Sequence, residues 1–311
     1  MSRIKESDLD IEQLHPVELD DLQGLTTDVK LFLDIAGKPV LYVDGPYCWS
    51  SSEIEKLHDD GFSVLFFTDE SAPNFAFLKD REFEPEARSL EIVPLFDQYY
   101  SKAIQRLKVS DELQLGSLEN LRLQLSDFIS NHVAVQKLLA ALSLHDSYSF
   151  EHSVRTVVVS HLIASTQTGQ EPSFDLALAA LLHDLGHLEI SAEVLEKKGE
   201  LTPLEWASVK HHPAKSLQRL DEVPLSSLTT TIILQHHERP DSRGYPRALT
   251  SADIVPEARI VSLADVFCAL SSPRPYQNQL GVKQSIAFIE SNLSEYIDED
   301  PLRALKLVLQ G

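Results

Sequence analysis

The hydrophobic and polar positions divide the chain into two regions with different patterns. Before about residue 75, short runs of β-branched, aromatic and leucine residues predict strands at VKLFLDI, PVLYVDG and FSVLFFTDE. Between the last two runs, SSSEIEKLHDDG has a leading serine, an early glutamate and a terminal glycine, which predicts a capped helix. The sequence therefore predicts a small α/β domain over residues 1–75, which we interpret as an accessory or regulatory module for packing, dimerisation or binding of a protein partner.

From about residue 97 the pattern becomes helical, and no strand signal recurs after residue 100. Leucines and valines at three- and four-residue spacing predict at least seven helices. The segments are LENLRLQLSDFISNHVAVQKLLAALSL, SVRTVVVSHLIAS, FDLALAALLHDLG, PLEWASVKHHPAKSLQRL, SSLTTTIILQHHE, EARIVSLADVFCAL and VKQSIAFIESNL. The predicted fold class is α+β: the small N-terminal α/β domain, a connector with leading helices over 76–124, and an all-α bundle over 125–311.

Charge and composition narrow the function classes. The 311 residues include 48 acidic and 27 basic side chains, a net charge of −21, which disfavours binding to nucleic-acid polymers or to anionic lipid. An anionic substrate would therefore need a local positive site, which a bound metal supplies. Cys48 and Cys268 form no disulfide framework, and no run is long and apolar enough for a signal peptide or a membrane span. We expect a cytoplasmic protein.

Five imidazoles and two carboxylates fall in or near the ends of different predicted helices. They are His152, His183, Asp184, His212, His236, His237 and Asp265. Adjacent helical residues point about 100° apart, so the pairs 183–184 and 236–237 suit two neighbouring ions better than one. This nitrogen and oxygen set, with no thiolate, suits iron, manganese, zinc or nickel.

Asp184 is the natural candidate for a carboxylate that bridges two ions, because its neighbour His183 anchors one of them. Two such ions lower the pKa of a bridging water and hold a phosphate oxygen, which is the chemistry of phosphoester hydrolysis. The other histidines are expected to be surface or hydrogen-bonded structural residues, His187 excepted. They are His15, His58, His132, His145, His161 and His211.

The motifs HDLGH, HHP, HHERPDSRGYP and ADVFCALSSPRPY resemble the HD-GYP branch of the HD-domain metal-dependent phosphohydrolases, most strongly over 140–280. The resemblance implies a helical catalytic domain that hydrolyses cyclic di-GMP to the linear dinucleotide or GMP with a hydroxide bridging two divalent ions, iron being the expected metal. It assigns the seven residues above as ligands, with Asp184 also catalytic. Tyr148 stands where some members carry a glutamate for a third metal, so two ions are expected. Arg274, Tyr245 and Gly244 are expected to contact the substrate.

Positions 187, 268 and 277 are among those that depart from the family pattern. His187 replaces a lysine that contacts the substrate phosphate and helps to position the water, Cys268 replaces an aspartate, and Gln277 replaces a basic residue. His187 either takes over the catalytic and phosphate-binding role or is turned into solvent where Gly186 ends the helix. The leading hypothesis is a cyclic di-GMP phosphodiesterase of reduced activity. The alternatives are a weakly active or inactive cyclic di-GMP receptor and a phosphohydrolase for another nucleotide, and a homodimer is a candidate assembly.

Overall fold

The computed structural model describes residues 14–23, 25–35, 38–68, 92–195, 197, 199–272 and 280–309. The chain divides into two compact units, Met1–Leu95 and Phe96–Gly311. This division lies between the boundaries that the sequence suggests at 75 and 124. Two residues of the sequence analysis, Arg274 and Gln277, lie outside the described residues.

The N-terminal unit is built on an antiparallel sheet. Its elements are β1 (His15–Glu18), α1 (Leu19–Leu22), β2 (Thr26–Asp28), β3 (Leu31–Ile35), β4 (Lys38–Val43), β5 (Pro46–Cys48), α2 (Ser51–Asp59) and β6 (Val64–Phe67). The strand order is β1-β6-β3-β4, with β2 and β5 paired separately, and every pairing among the described strands is antiparallel. The predicted strands are β3, β4 and β6, whereas β1, β2 and β5 are too short and too polar to give a signal.

The strongest apolar runs form the middle of this sheet. Leu31, Leu33 and Ile35 in β3 are fully buried, and all of β6 is buried. The predicted helix cap is also present: the Ser50 hydroxyl accepts from the Glu53 amide, and the Glu53 carboxylate accepts from the Ser50 amide at 3.0 Å. This reciprocal pair satisfies two amides at the start of α2 that have no partner within the helix.

The regular secondary structure of the C-terminal unit is helical among its described residues. Its α-helices are α3 (Ile92–Leu107, which begins in the first unit), α4 (Glu112–Asn131), α5 (Val133–His145), α6 (Ser147–Thr168), α7 (Phe174–Leu182), α8 (Ala192–Leu195), α9 (Pro203–Lys210), α10 (His212–Arg219), α11 (Ser227–Gln235), α12 (Pro256–Leu270), α13 (Val282–Asn292) and α14 (Glu299–Val308). Short 3-10 helices cover Leu185–Glu189 and Ser251–Asp253. Two segments that were each predicted as one helix are divided into two helices: α4 and α5 at His132, and α9 and α10 at His211. Helix α14 was not predicted.

Helix α6 is the centre of this unit and packs against α5, α7, α12 and α14. Its middle, including Val154, Val157, Val158 and Leu162, is buried almost completely around the helix, as expected for a helix enclosed by others. Among the described residues, none of the helices combines the length and hydropathy that a bilayer-spanning segment needs. The bundle therefore places residues of α6 at the interior, where ends of α7, α10, α11 and α12 can meet them.

His161 in α6 has the structural role that the sequence suggests. It is buried and hydrogen-bonded to the Ser117 hydroxyl, and Glu171 lies 3.9 Å away. Burial lowers the pKa of His161, with the Glu171 carboxylate opposing the shift. The unfolded chain protonates this imidazole near pH 6.5, and the folded chain does so only at lower pH. The unfolded state thus binds more protons in this window, and the stability that the neutral imidazole contributes is lost as the pH falls below about 6.5.

We therefore expect His161→Gln to flatten the fall in unfolding free energy between about pH 7.5 and 5. Denaturant unfolding of both proteins across this range measures the difference in slope. Parallel curves for the two proteins would contradict the assignment of a buried, neutral His161.

Candidate metal centre

The turn that carries His183 and Asp184 is held by backbone packing. Helix α7 ends at Leu182, and the Ser216 hydroxyl donates to the His183 carbonyl (2.6 Å) and accepts from the Gly186 amide (2.8 Å). A Cβ atom on Gly186 would lie 2.1 Å from the His212 carbonyl oxygen, so only glycine allows this approach. The helix that was predicted to continue to 186 is therefore replaced by a tight turn lying directly on the start of α10.

Three histidines of the centre, His183, His212 and His236, share one backbone arrangement. In each, Nδ1 lies 2.7–2.8 Å from the carbonyl oxygen three residues earlier. The carbonyls belong to Ala180, Val209 and Ile233. Because a carbonyl only accepts, Nδ1 carries the proton and Nε2 presents a lone pair. His212 Nε2 and His236 Nε2 nevertheless lie 3.1 Å apart, which calls for a positive group between them.

Asp184 presents its two carboxylate oxygens to different imidazoles. Oδ1 lies 3.3 Å from His212 Nε2 and 3.5 Å from His187 Nε2. Oδ2 lies 3.2 Å from His183 Nε2 and 3.9 Å from His152 Nε2. His183 Nε2 is buried and makes no hydrogen bond of good geometry despite this short distance. This is the arrangement expected of a carboxylate that bridges two cations.

Asp265, on α12, closes the other side of the centre. Its Oδ1 lies 2.9 Å from His152 Nε2, and its Oδ2 lies 3.9 Å from His237 Nδ1. The His236 and His237 rings are 4.1 Å apart. The structure thus brings together all seven ligands that the sequence suggests.

The pKa values of the buried side chains favour the binding of cations at this centre. Burial lowers the pKa of His236 and His237 well below the usual range, and lowers that of His212 to about 4. Burial by itself would raise the pKa of Asp184, but the imidazoles around it, led by His183, hold it well below its usual value. Burial lowers the pKa of His183, but the Asp184 carboxylate opposes this effect and raises it to about 9.

The donor set fits two divalent ions. Groups of donor atoms lying within 4.8 Å of one another are His152, His183 and Asp184; His212, His236 and His237; and Asp184, His187 and His212. Asp184 belongs to two of these groups. Imidazole nitrogens with carboxylate oxygens, and no thiolate, suit iron, manganese, zinc or nickel.

A cleft of about 490 Å³ opens onto the centre. Tyr245 lines it, with its ring 4.7 Å from that of His237, and burial raises the pKa of its phenol, which stays protonated. Trp206, 44% exposed, and Lys197, whose ammonium pairs with Glu205 at 2.6 Å, also line the cleft. Sequence reasoning missed both, because an isolated Trp or Lys on an amphipathic helix or in a loop is usually a surface residue.

Gly244 has a packing role in the structure, and its contact with substrate stays a prediction. A Cβ atom at this position would lie 2.4 Å from the Arg239 amide nitrogen and 2.6 Å from the His237 carbonyl oxygen. Gly244 packs on the backbone beside the ligand pair and is not among the residues lining the cleft. Its absent side chain is what allows the loop to fold onto the histidine turn.

Buried Glu238 holds this loop in place and was also missed. Its carboxylate accepts from the Arg247 amide (2.6 Å) and the Leu249 amide (2.9 Å), on the far side of Tyr245. The sequence did contain a signal for this role, because a glutamate directly after two predicted ligand histidines lies next to a buried site. The Tyr245 amide in turn donates to the His237 carbonyl at 3.1 Å.

Cys268, which replaces an aspartate of the family pattern, is buried beside Arg155. The Arg155 guanidinium donates to the Ser271 and Ser272 hydroxyls and to the Cys268 carbonyl. Burial raises the pKa of the Cys268 thiol to about 11, so the thiol stays neutral. The two hydroxyls and the carbonyl thus satisfy the buried guanidinium at the end of α12.

The histidines outside the centre behave as expected. Those with the clearest contacts bond to backbone carbonyl oxygens through a ring nitrogen: His58, His132, His145 and His211. His187 differs, since its side chain is only 17% exposed and faces Asp184.

The chain belongs to the HD domain family, whose model matches residues 135–300. The resemblance to HD-GYP phosphohydrolases that the motifs suggest is thereby confirmed at the level of the family, and the match covers all seven residues that are predicted to bind metal.

Curated relatives carry names of cyclic-dinucleotide phosphodiesterases. A 3'3'-cGAMP-specific phosphodiesterase of Vibrio cholerae is 36% identical over 52% of this chain and 35% of its own length. A cyclic di-GMP phosphodiesterase of Pseudomonas aeruginosa is 32% identical over 52% of this chain and 40% of its own. One of Thermotoga maritima is 31% identical over 63% of this chain and 54% of its own. The chain thus spans about half the length of these relatives or less.

A solved structure of an HDG"Y"P protein from Bdellovibrio bacteriovorus matches with a TM-score of 0.51 at 18% identity, over 96% of this chain and 100% of that one. At this identity the likeness concerns the fold alone.

Because the Gly186 contact sets the position of Asp184 against α10, Gly186→Ala should destabilise the protein by about 1–3 kcal/mol and lower its metal content. Gly116→Ala is the matched control, because Gly116 is an exposed residue of α4 and no atom lies within 4 Å of the added Cβ. That control should be stabilising by about 0.5–1 kcal/mol. Chemical denaturation and elemental analysis of both proteins measure the effects. Equal stability and equal metal content of the two variants would contradict this role of the turn.

Proposed function

We propose that the protein is a metal-dependent phosphodiesterase that hydrolyses cyclic di-GMP or a related cyclic dinucleotide to the linear dinucleotide or GMP. The observation that carries this proposal is the Asp184 carboxylate, shared between two sets of imidazoles at the base of an open cleft. The names of the relatives support the substrate class, and the intact ligand set supports catalysis.

The donor groups suggest which residues would hold each ion. His152, His183 and Asp265 would hold one, and His212, His236 and His237 the other, with Asp184 between them. The pair 236–237 would thus serve one ion, whereas the sequence favoured two ions for this pair. Iron is the proposed metal, with manganese, zinc or nickel as alternatives. When bound, such ions lower the pKa of water and neutralise charge on a phosphate.

The chain's own residues would bind and orient the substrate. The exposed Trp206 ring and Tyr245 offer apolar surfaces on which a purine base can pack. The protonated Tyr245 phenol can donate a hydrogen bond to a phosphate oxygen. Arg274, whose guanidinium can contact a phosphate through two parallel hydrogen bonds, remains the proposed phosphate ligand.

One observation favours a second candidate, a cyclic-dinucleotide receptor with little or no activity. Among the described residues lining the cleft, Lys197 is the one lysine or arginine, and Glu205 already neutralises it. A receptor would signal through a partner bound to residues 1–75 or through a homodimer. The scarcity of lysine and arginine side chains among the described residues of the cleft would also suit a phosphohydrolase that acts on a less charged nucleotide.

Asp184→Asn should lose metal and lower the rate of cyclic di-GMP hydrolysis more than about 100-fold, because an amide is a poorer metal ligand than a carboxylate. Anaerobic incubation of iron- or manganese-loaded protein with cyclic di-GMP or 3'3'-cGAMP, followed by chromatography, measures the products. Asp221→Asn, at an exposed position, is the matched control and should leave the rate unchanged.

Undiminished turnover by the Asp184→Asn protein would contradict the proposed enzyme. Two ions bound per chain, with tight binding of a cyclic dinucleotide and no product, would favour the receptor instead.

A further inference from the structure

His187 faces the metal centre rather than solvent. It lies in the 3-10 helix that follows Asp184, and its ring centroid is 4.8 Å from that of His212. Its Nε2 lies 3.5 Å from Asp184 Oδ1, and His212 Nε2 lies 3.3 Å from the same oxygen. The donor atoms of these three residues all lie within 4.8 Å of one another.

The other ring nitrogen of His187 is held by a chain of hydrogen bonds that fixes the tautomer. The Ser149 hydroxyl donates to Asp146 Oδ2 at 2.6 Å, so its single proton is committed. Ser149 Oγ, 3.3 Å from His187 Nδ1, can therefore only accept, which puts the ring proton on Nδ1. Asp146 is itself fixed as the cap of α6, where it accepts from the Tyr148 and Ser149 amides.

This network leaves a lone pair on His187 Nε2, which lies 3.5 Å from a carboxylate oxygen inside the protein. Two lone pairs repel unless a cation lies between them. Donor atoms on neighbouring positions around one ion, with bonds of about 2.0–2.2 Å, lie about 3.0–3.5 Å apart. The distances of 3.5 Å and 3.3 Å from Asp184 Oδ1 match this spacing. A ligating histidine also commonly donates its second ring N–H to a fixed oxygen.

We propose that His187 is a further metal ligand, binding through Nε2 the same ion as His212 and Asp184. The inference rests on the metal centre of the proposed function. A lysine ammonium, which the family resemblance places at this position, has three donors and no lone pair and cannot bind a cation. The imidazole fills a position that water or phosphate would otherwise take, so the chain holds this ion more tightly and turns over more slowly than with lysine.

The test is an anaerobic titration of the metal-free protein with Co²⁺, followed by its visible absorbance. His187→Gln and His187→Lys should weaken one of the two ions at least about tenfold, and Ser149→Ala should weaken the same ion less. His211→Gln is the matched control, because this exposed neighbour of His212 bonds to the Ala207 carbonyl and should change neither affinity.

Proton NMR of the Co²⁺ protein gives a second readout, because each ligating imidazole contributes a shifted, exchangeable N–H signal. His187→Gln should remove one such signal and keep the others, which also shows that the centre still folds. Two ions bound with unchanged affinities and signals in His187→Gln would overturn the inference and leave the proposed function standing. A wild-type protein that fails to bind two Co²⁺ ions would overturn the metal centre itself.

Discussion

The Asp184 carboxylate is the constraint on which the rest of the helical unit depends. Buried among imidazoles, it stays ionised only because positive charge surrounds it, whether protons or metal ions supply that charge. Three contacts keep the carboxylate in place. The Ser216 hydroxyl donates to the His183 carbonyl, and Gly186 allows the turn to pack against α10. The Glu238 carboxylate accepts from the Arg247 amide and so holds the loop beside the pair 236–237. A buried cluster of imidazole nitrogens and carboxylate oxygens within 4.8 Å of one another makes physical sense as a binding site for cations.

The metal ligands could be predicted from the sequence because their signal is local. The pairs 183–184 and 236–237 are adjacent in the chain, and Asp265 lies within the apolar helix segment EARIVSLADVFCAL, where a carboxylate stands out. The central strands β3 and β6 were equally visible as continuous apolar runs. A polar residue among apolar neighbours stands out in a sequence, and a continuous apolar run predicts a buried strand.

Residues whose role depends on distant partners could not be predicted. The orientation of His187 depends on Ser149 and Asp146, about 40 positions earlier, and on the exact place where α7 ends. Trp206 and Lys197 line the cleft because of how α9 and the preceding loop pack, and neither carries a distinguishing neighbour. Strand β1 exists because it pairs with β6, since its own sequence, HPVE, has little preference for a strand.

Electron paramagnetic resonance of the Mn²⁺-loaded protein tests most directly whether two ions share the Asp184 carboxylate. Ions bridged by one carboxylate are exchange-coupled, so the account predicts the spectrum of a coupled pair that disappears in Asp184→Ala, which should lose bound metal. The hyperfine pattern of isolated Mn²⁺ in the fully loaded wild-type protein would contradict it.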